Sequence, residues 1–231
     1  QWTTITIDFS TMTEVEGKSL TSVHFLHFLS NYRNGEAMYF YFDNARLVDV
    51  EPEEECEHDW GYGVTTQKPT LEAEGERTYT CSKCGETKTE AIDKLVGNGS
   101  TVDEWSLTLK GDINVNFDMA LDPAIAADPN AYVLFTVDGK EYKFTAAEAA
   151  SQLTIPVAAA QMKDQIQVTV YDGNGTAGTT FTYSVHQYAD YILRNSEDEN
   201  LKALVKNMLN YGAKAQEYFD HNANDLANED V

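Results

Sequence analysis

Apolar residues in this chain follow different rhythms in different regions. Over residues 1–50 they alternate or cluster in short runs: TTITIDF at residues 3–9, SVHFLHFL at residues 22–29 and AMYFYFDNARLVDV at residues 37–50. Such patterns predict strands, with EVEG (residues 14–17) and YRNGE (residues 32–36) as the turns between them. Three strands form a thin sheet that struggles to cover both faces. Residues 1–50 therefore read as part of a β-sandwich with partner strands elsewhere.

The rhythm then stops. EPEEE at residues 51–55 is a short acidic linker, and the following segment, to residue 95, is rich in Thr, Glu, Gly and Lys but poor in aliphatics. It cannot build much of a core and needs another means of support. Alternation returns in residues 96–231. WSLTLKGDINVNFDMAL gives two strands around Gly111, and AYVLFTVDGKEYKFTA gives a hairpin at Asp138-Gly139. QLTIPVA reads as an edge strand because of Pro156, and QIQVTVYDGNGTAGTTFTYSV reads as a second hairpin. DGNG at residues 172–175 is a tight turn, since it lacks the full acidic loop of an EF-hand.

Near the C-terminus the period lengthens to that of a helix. Ser184 with Gln187, and Ser196 with Glu199, predict capped starts for two helices. The second would bury Leu201, Leu204, Val205, Met208, Tyr211, Ala215 and Tyr218 on one face. The polar tail HNANDLANEDV is expected to fray. The fold class expected is mainly β: an antiparallel sandwich with two terminal helices, preceded by a small β connector and partial sandwich strands.

Composition narrows the partners. With 38 Asp and Glu against 16 Lys and Arg, the net charge of −22 repels nucleic acid and anionic lipid. No apolar run approaches the roughly 20 residues that span a bilayer, so no membrane insertion is expected. The chain starts at Gln1 within what reads as a strand, as expected of a piece of a longer polypeptide.

All three cysteines and one of the five histidines sit in the core-poor segment, as Cys56-x-His58 and Cys81-x-x-Cys84 followed by Gly85. Two tight ligand pairs joined by a loop suit tetrahedral Zn²⁺, and three thiolates with one imidazole form a closed, structural shell. Trp60, Tyr62 and Tyr79 are candidates for an apolar cap over it. A Cys81–Cys84 disulfide or redox pair is the alternative, although it leaves Cys56 and His58 without a role. Tyr39 and Tyr41 share one strand face and are a candidate sugar platform, or ordinary β-forming residues. His24 and His27 read as packing groups. No nucleophile-base pair, phosphate loop or paired-carboxylate motif stands out, and the expectation is that the chain is not an enzyme.

CEHDWGYG and GERTYTCSKCGETKTE resemble the small Cys/His modules, zinc-ribbon-like, of large secreted or cell-surface proteins of anaerobic gut bacteria. GDINVNFDMAL, VTVYDGNG, YSVHQYADYIL and LVKNMLNYGAKAQEYF resemble a non-catalytic module of such proteins, a β-sandwich with two terminal helices. QWTTITIDFS and YFYFDNARLV resemble the last strands of a jelly-roll carbohydrate-binding module. In many such modules the closing-strand Asp binds structural calcium, which makes Asp43 a candidate Ca ligand. The resemblance implies an extracellular or cell-surface accessory region that positions upstream modules of the same polypeptide, with polysaccharide as a possible target. A module that itself binds polysaccharide, or part of a glycan-degrading enzyme, are the alternatives.

Overall fold

The structure, a computed structural model, describes residues 56–229 apart from Gly111, together with two short strands near the N-terminus. The chain divides into two compact units, Gln1–Glu53 and Glu54–Val231. In the first, β1 (Glu14–Val15) pairs antiparallel with β2 (Lys18–Ser19). The other predicted strands of this unit, and with them Tyr39, Tyr41, Asp43, His24 and His27, lie outside the described residues.

The second unit is mainly β, with three antiparallel sheets. It opens with a ribbon of β3 (Val64–Gln67), β4 (Gly75–Thr80) and β5 (Thr87–Ile92), in that order. Of residues 56–92 only Pro69, Gly75 and Cys81 are buried, so the ribbon has no apolar interior of its own. That is the consequence of its Thr, Glu and Lys content.

The next two sheets form the sandwich. One is ordered β10-β7-β6, built from β6 (Thr101–Lys110), β7 (Asp112–Ala120) and β10 (Leu153–Val157). The other is ordered β12-β11-β8-β9, from β8 (Tyr132–Val137), β9 (Lys140–Thr145), β11 (Ile166–Tyr171) and β12 (Ala177–Tyr183). Inward residues alternate with outward ones: Val133, Phe135 and Val137 of β8 are buried while Tyr132, Leu134 and Thr136 are half-buried. Phe117 of the first sheet meets Phe135 of the second at 4.9 Å between ring centres, and both are fully buried. Fully burying a side chain of that size stabilises the fold by about 1.5–3 kcal/mol.

The turn chemistry follows the sequence. Asp138 and Gly139 both adopt positive φ, 47° and 73°, as a two-residue hairpin matched to strand twist requires. Residues 172–175 close the β11–β12 hairpin, where the Asp172 carboxylate accepts from the Asn174 and Thr176 amides. β10 is an edge strand with Pro156 exposed, a position that tolerates the missing N–H. A short helix, α1 (Pro123–Ala126), capped by Asp122, bridges β7 and β8.

Two longer helices finish the unit. In α2 (Val185–Asn195) the Ser184 hydroxyl accepts from the Gln187 amide, as the sequence predicts. α3 (Glu199–Phe219) starts differently from the expectation. Its cap is Asp198, whose carboxylate accepts from the Asn200 and Leu201 amides, while Ser196 closes α2.

The buried face of α3 agrees with the expectation at Val205, Met208 and Ala215 and differs at three other positions. Val205, Met208, Leu209, Gly212, Ala213 and Gln216 are inward, whereas Leu204, Tyr211 and Tyr218 are 51%, 67% and 82% exposed. The helix packs on a tight 3₁₀ turn, Ala159–Gln161, and the buried Met162 beside it. So close a surface accepts Gly and Ala, and the tyrosines turn outward. The polar tail does not fray over residues 221–229. Gln216 donates to the Asp225 carbonyl (3.0 Å) and accepts from the Ala227 amide (2.7 Å), and Ala227 is fully buried.

Candidate metal centre

The loop before β3 delivers Cys56 and His58, and the turn between β4 and β5 delivers Cys81 and Cys84. In that turn the Cys81 amide donates to the Glu86 carbonyl (2.8 Å) and the Gly85 amide to the Cys81 carbonyl (3.0 Å). Gly85 adopts φ +76°, which a side chain would resist. This turn aims the Lys83 amide at the Cys81 sulfur, 3.4 Å away.

One ligand atom from each of the four residues lies within 4.8 Å of all the others. Cys56 Sγ and Cys81 Sγ are 3.8 Å apart, and Cys84 Sγ and His58 Nδ1 are 3.4 Å apart. A tetrahedral ion with metal–sulfur bonds of about 2.3 Å and a metal–nitrogen bond of about 2.05 Å sets these separations at about 3.8 and 3.6 Å. A disulfide needs about 2.05 Å, and all three cysteines are free thiols here. The donor set thus fits a borderline-soft divalent ion, with no position left open for water or substrate.

The surroundings also suit a metal. With Nδ1 turned inward, His58 points Nε2 at the Glu86 carboxylate, 3.5 Å away, a partner that fixes the ring and its tautomer. The Trp60 ring stacks on the His58 ring at 4.6 Å, and Lys88 lies over both Trp60 and Tyr79. Two of the three expected aromatic neighbours are therefore grouped near the site. Tyr62 is not among them.

The three thiols are not equivalent. Burial pushes the Cys81 thiol up, but the Cys84 amide, His58 and the Lys83 amide outweigh it and bring Cys81 down to about 5. Hydrogen bonding to Cys84, together with burial and the Cys81 sulfur, raises Cys56 to about 12. Without an ion, three sulfurs this close share their negative charge poorly; a divalent cation removes that conflict.

The ribbon is clamped to the sandwich by residues close to the ligands. Asp59, next to His58, pairs with Arg194 of α2 at 2.7 Å, and Arg194 also bonds Asp190 at 2.6 Å. The Arg194 guanidinium and the Ser82 hydroxyl hold the Asp59 carboxyl below its usual range. Gly61, at φ +59°, passes so close that a Cβ would lie 2.6 Å from the Asp190 carboxylate. Tyr62 reaches past the metal site to place its hydroxyl 2.9 Å from His186 Nδ1. At the far end Lys68 bonds Asp103 of β6 at 2.9 Å. Arg194, Asp190 and His186 were not foreseen, because nothing local in α2 marks a residue whose partner lies 135 positions away. Glu86 had a weak signal in its place just after the second cysteine pair.

No family model, no curated protein and no solved structure matches this chain, so the meaning of the cluster rests on its geometry.

Proposed function

We propose that Cys56, His58, Cys81 and Cys84 hold a structural Zn²⁺ ion, and that the chain is a non-catalytic connecting region of a multimodular extracellular bacterial protein. The observation that carries the metal reading is the convergence of four ligand atoms within 4.8 Å in a segment with almost no core. Zinc takes the place that apolar burial has in the sandwich, since metal binding to such a set supplies folding energy directly. The closed donor set argues for a staple and against catalysis. The Asp59–Arg194 and Tyr62–His186 contacts then set the stapled ribbon at a fixed angle to the sandwich. A rigid angle is what a spacer needs if it is to orient the modules before it.

Elemental analysis of protein purified without added metal tests this. About one zinc per chain is expected. Less than about 0.2 zinc per chain, with Cys81 and Cys84 found oxidised, overturns it.

A further inference from the structure

Between the ribbon and the sandwich lies an open cavity of about 1590 Å³, walled by the ribbon, α2, the first turns of α3 and one margin of the sandwich. Each of the three sheets turns an edge strand toward it. Val64 and Thr65 come from β3, Thr101 to Asp103 and Trp105 from β6, and five consecutive residues, 179–183, from β12. An edge strand carries outward N–H and C=O groups that seek a partner. Among the described residues, the backbone of residues 180–183 has no hydrogen bond beyond its pairing with β11. Ahead of them, the Thr179 hydroxyl is already engaged by the Val96 amide.

The charge of the cavity is unlike that of the chain. Six of the 16 basic residues line it, against five of the 38 acidic ones. Lys68, Arg194 and Lys202 are paired with acids. Arg77, Lys94 and Lys206 are in no close ion pair among the described residues, although Glu90 stands opposite Arg77 across β4 and β5 and feels its charge, and Arg77 is half-buried. Trp105 and Tyr188, in ring contact at 5.4 Å, add an apolar wall. A few cations, an apolar wall and a row of unpaired backbone groups together describe a peptide site. Sugar hydroxyls can also bond backbone groups, but only a second strand repeats its N–H and C=O groups at the spacing of that row.

We propose that this cleft binds an extended acidic peptide segment, added as a strand to the free edge of β12. Its backbone bonds residues 180–183, and its alternate side chains meet Arg77 and Lys206 on one side and the Trp105–Tyr188 wall on the other. The ribbon forms one wall, so the site rests on the metal-stapled reading above.

The test uses the whole chain, with its zinc content measured in the same sample. The probe is a fluorescent nine-residue peptide of alternating Glu and Val with blocked ends. Saturable binding is expected, weakened at least tenfold when Lys replaces Glu in the probe, and abolished when every second probe amide is N-methylated. The double variant Arg77→Glu, Lys206→Glu should bind at least tenfold more weakly, with unchanged zinc content and melting temperature. Zinc-replete protein that ignores the probe overturns the proposal, as does equal binding of the N-methylated probe. Binding of an oligogalacturonate in place of the peptide also overturns it. Peptide binding by zinc-free protein would support the cleft and overturn the metal reading alone.

Discussion

Gln216 has no exposed surface, yet it is polar. Its amide links α3 to residues 222–227 through the carbonyls of Asn222 and Asp225 and the amide of Ala227. Gln216→Leu keeps the volume but leaves buried backbone groups unpaired, at a cost of about 1–3 kcal/mol. Chemical denaturation should show that loss, with amide exchange accelerated over residues 221–229. Tyr183 offers a second test. Burial pushes its hydroxyl up to about 12 from the usual 10, with the Arg77 charge pulling weakly the other way. The unfolded chain therefore ionises first. The contribution of Tyr183 is full below pH 10 and is lost as pH rises toward 12, a fall of about 3 kcal/mol. Denaturation curves between pH 9.5 and 12 should show this fall, and Tyr183→Phe should remove that part of it. Neither role was legible in the sequence, because Gln216 and Tyr183 get their environments from residues far along the chain.

Among the elements, local chemistry was the most legible. Positive φ at Asp138-Gly139, the edge position of Pro156 and the Ser184 cap all follow from a few adjacent residues. The start of α3 was misplaced because SEDE offers two good caps, Ser196 and Asp198, and only the turn from α2 decides between them. Asp198→Ala should lower stability by about 1 kcal/mol. The helical period was right, and Leu201, Val205, Met208 and Ala215 do face the core, but Leu204, Tyr211 and Tyr218 do not, since the period cannot say how close the neighbouring surface comes. Met208→Ala should cost about 2–5 kcal/mol. Tyr211→Ser and Tyr218→Ser should each stay within about 0.5 kcal/mol. Reversed sensitivities in thermal unfolding would place the tyrosines back in the core.

At the scale of the molecule, the ribbon and the sandwich are held by different physics. The sandwich and its helices have a continuous core that runs from Val102 to Ala227, whereas the ribbon has the Cys/His cluster and a clamp to α2. Chelation of bound metal should therefore abolish exchange protection over residues 56–92 and leave β6 to β12 protected. Equal loss in both regions would mean that the two share one cooperative core. The four ligands were legible because their spacing is local, two residues and three. The docking of the ribbon was not, because it depends on the ends of α2 and β6 meeting a surface whose sequence carries no periodic signal.

The Asp59–Arg194 pair spans 135 positions, and that distance is also an interval of time. Ribosomes add roughly 5–20 residues per second, so the ribbon is complete on the order of ten seconds before Arg194 exists. Until α2 is made, the ribbon has no core of its own and no clamp at the end where its ligands lie, so the cluster is the support available there.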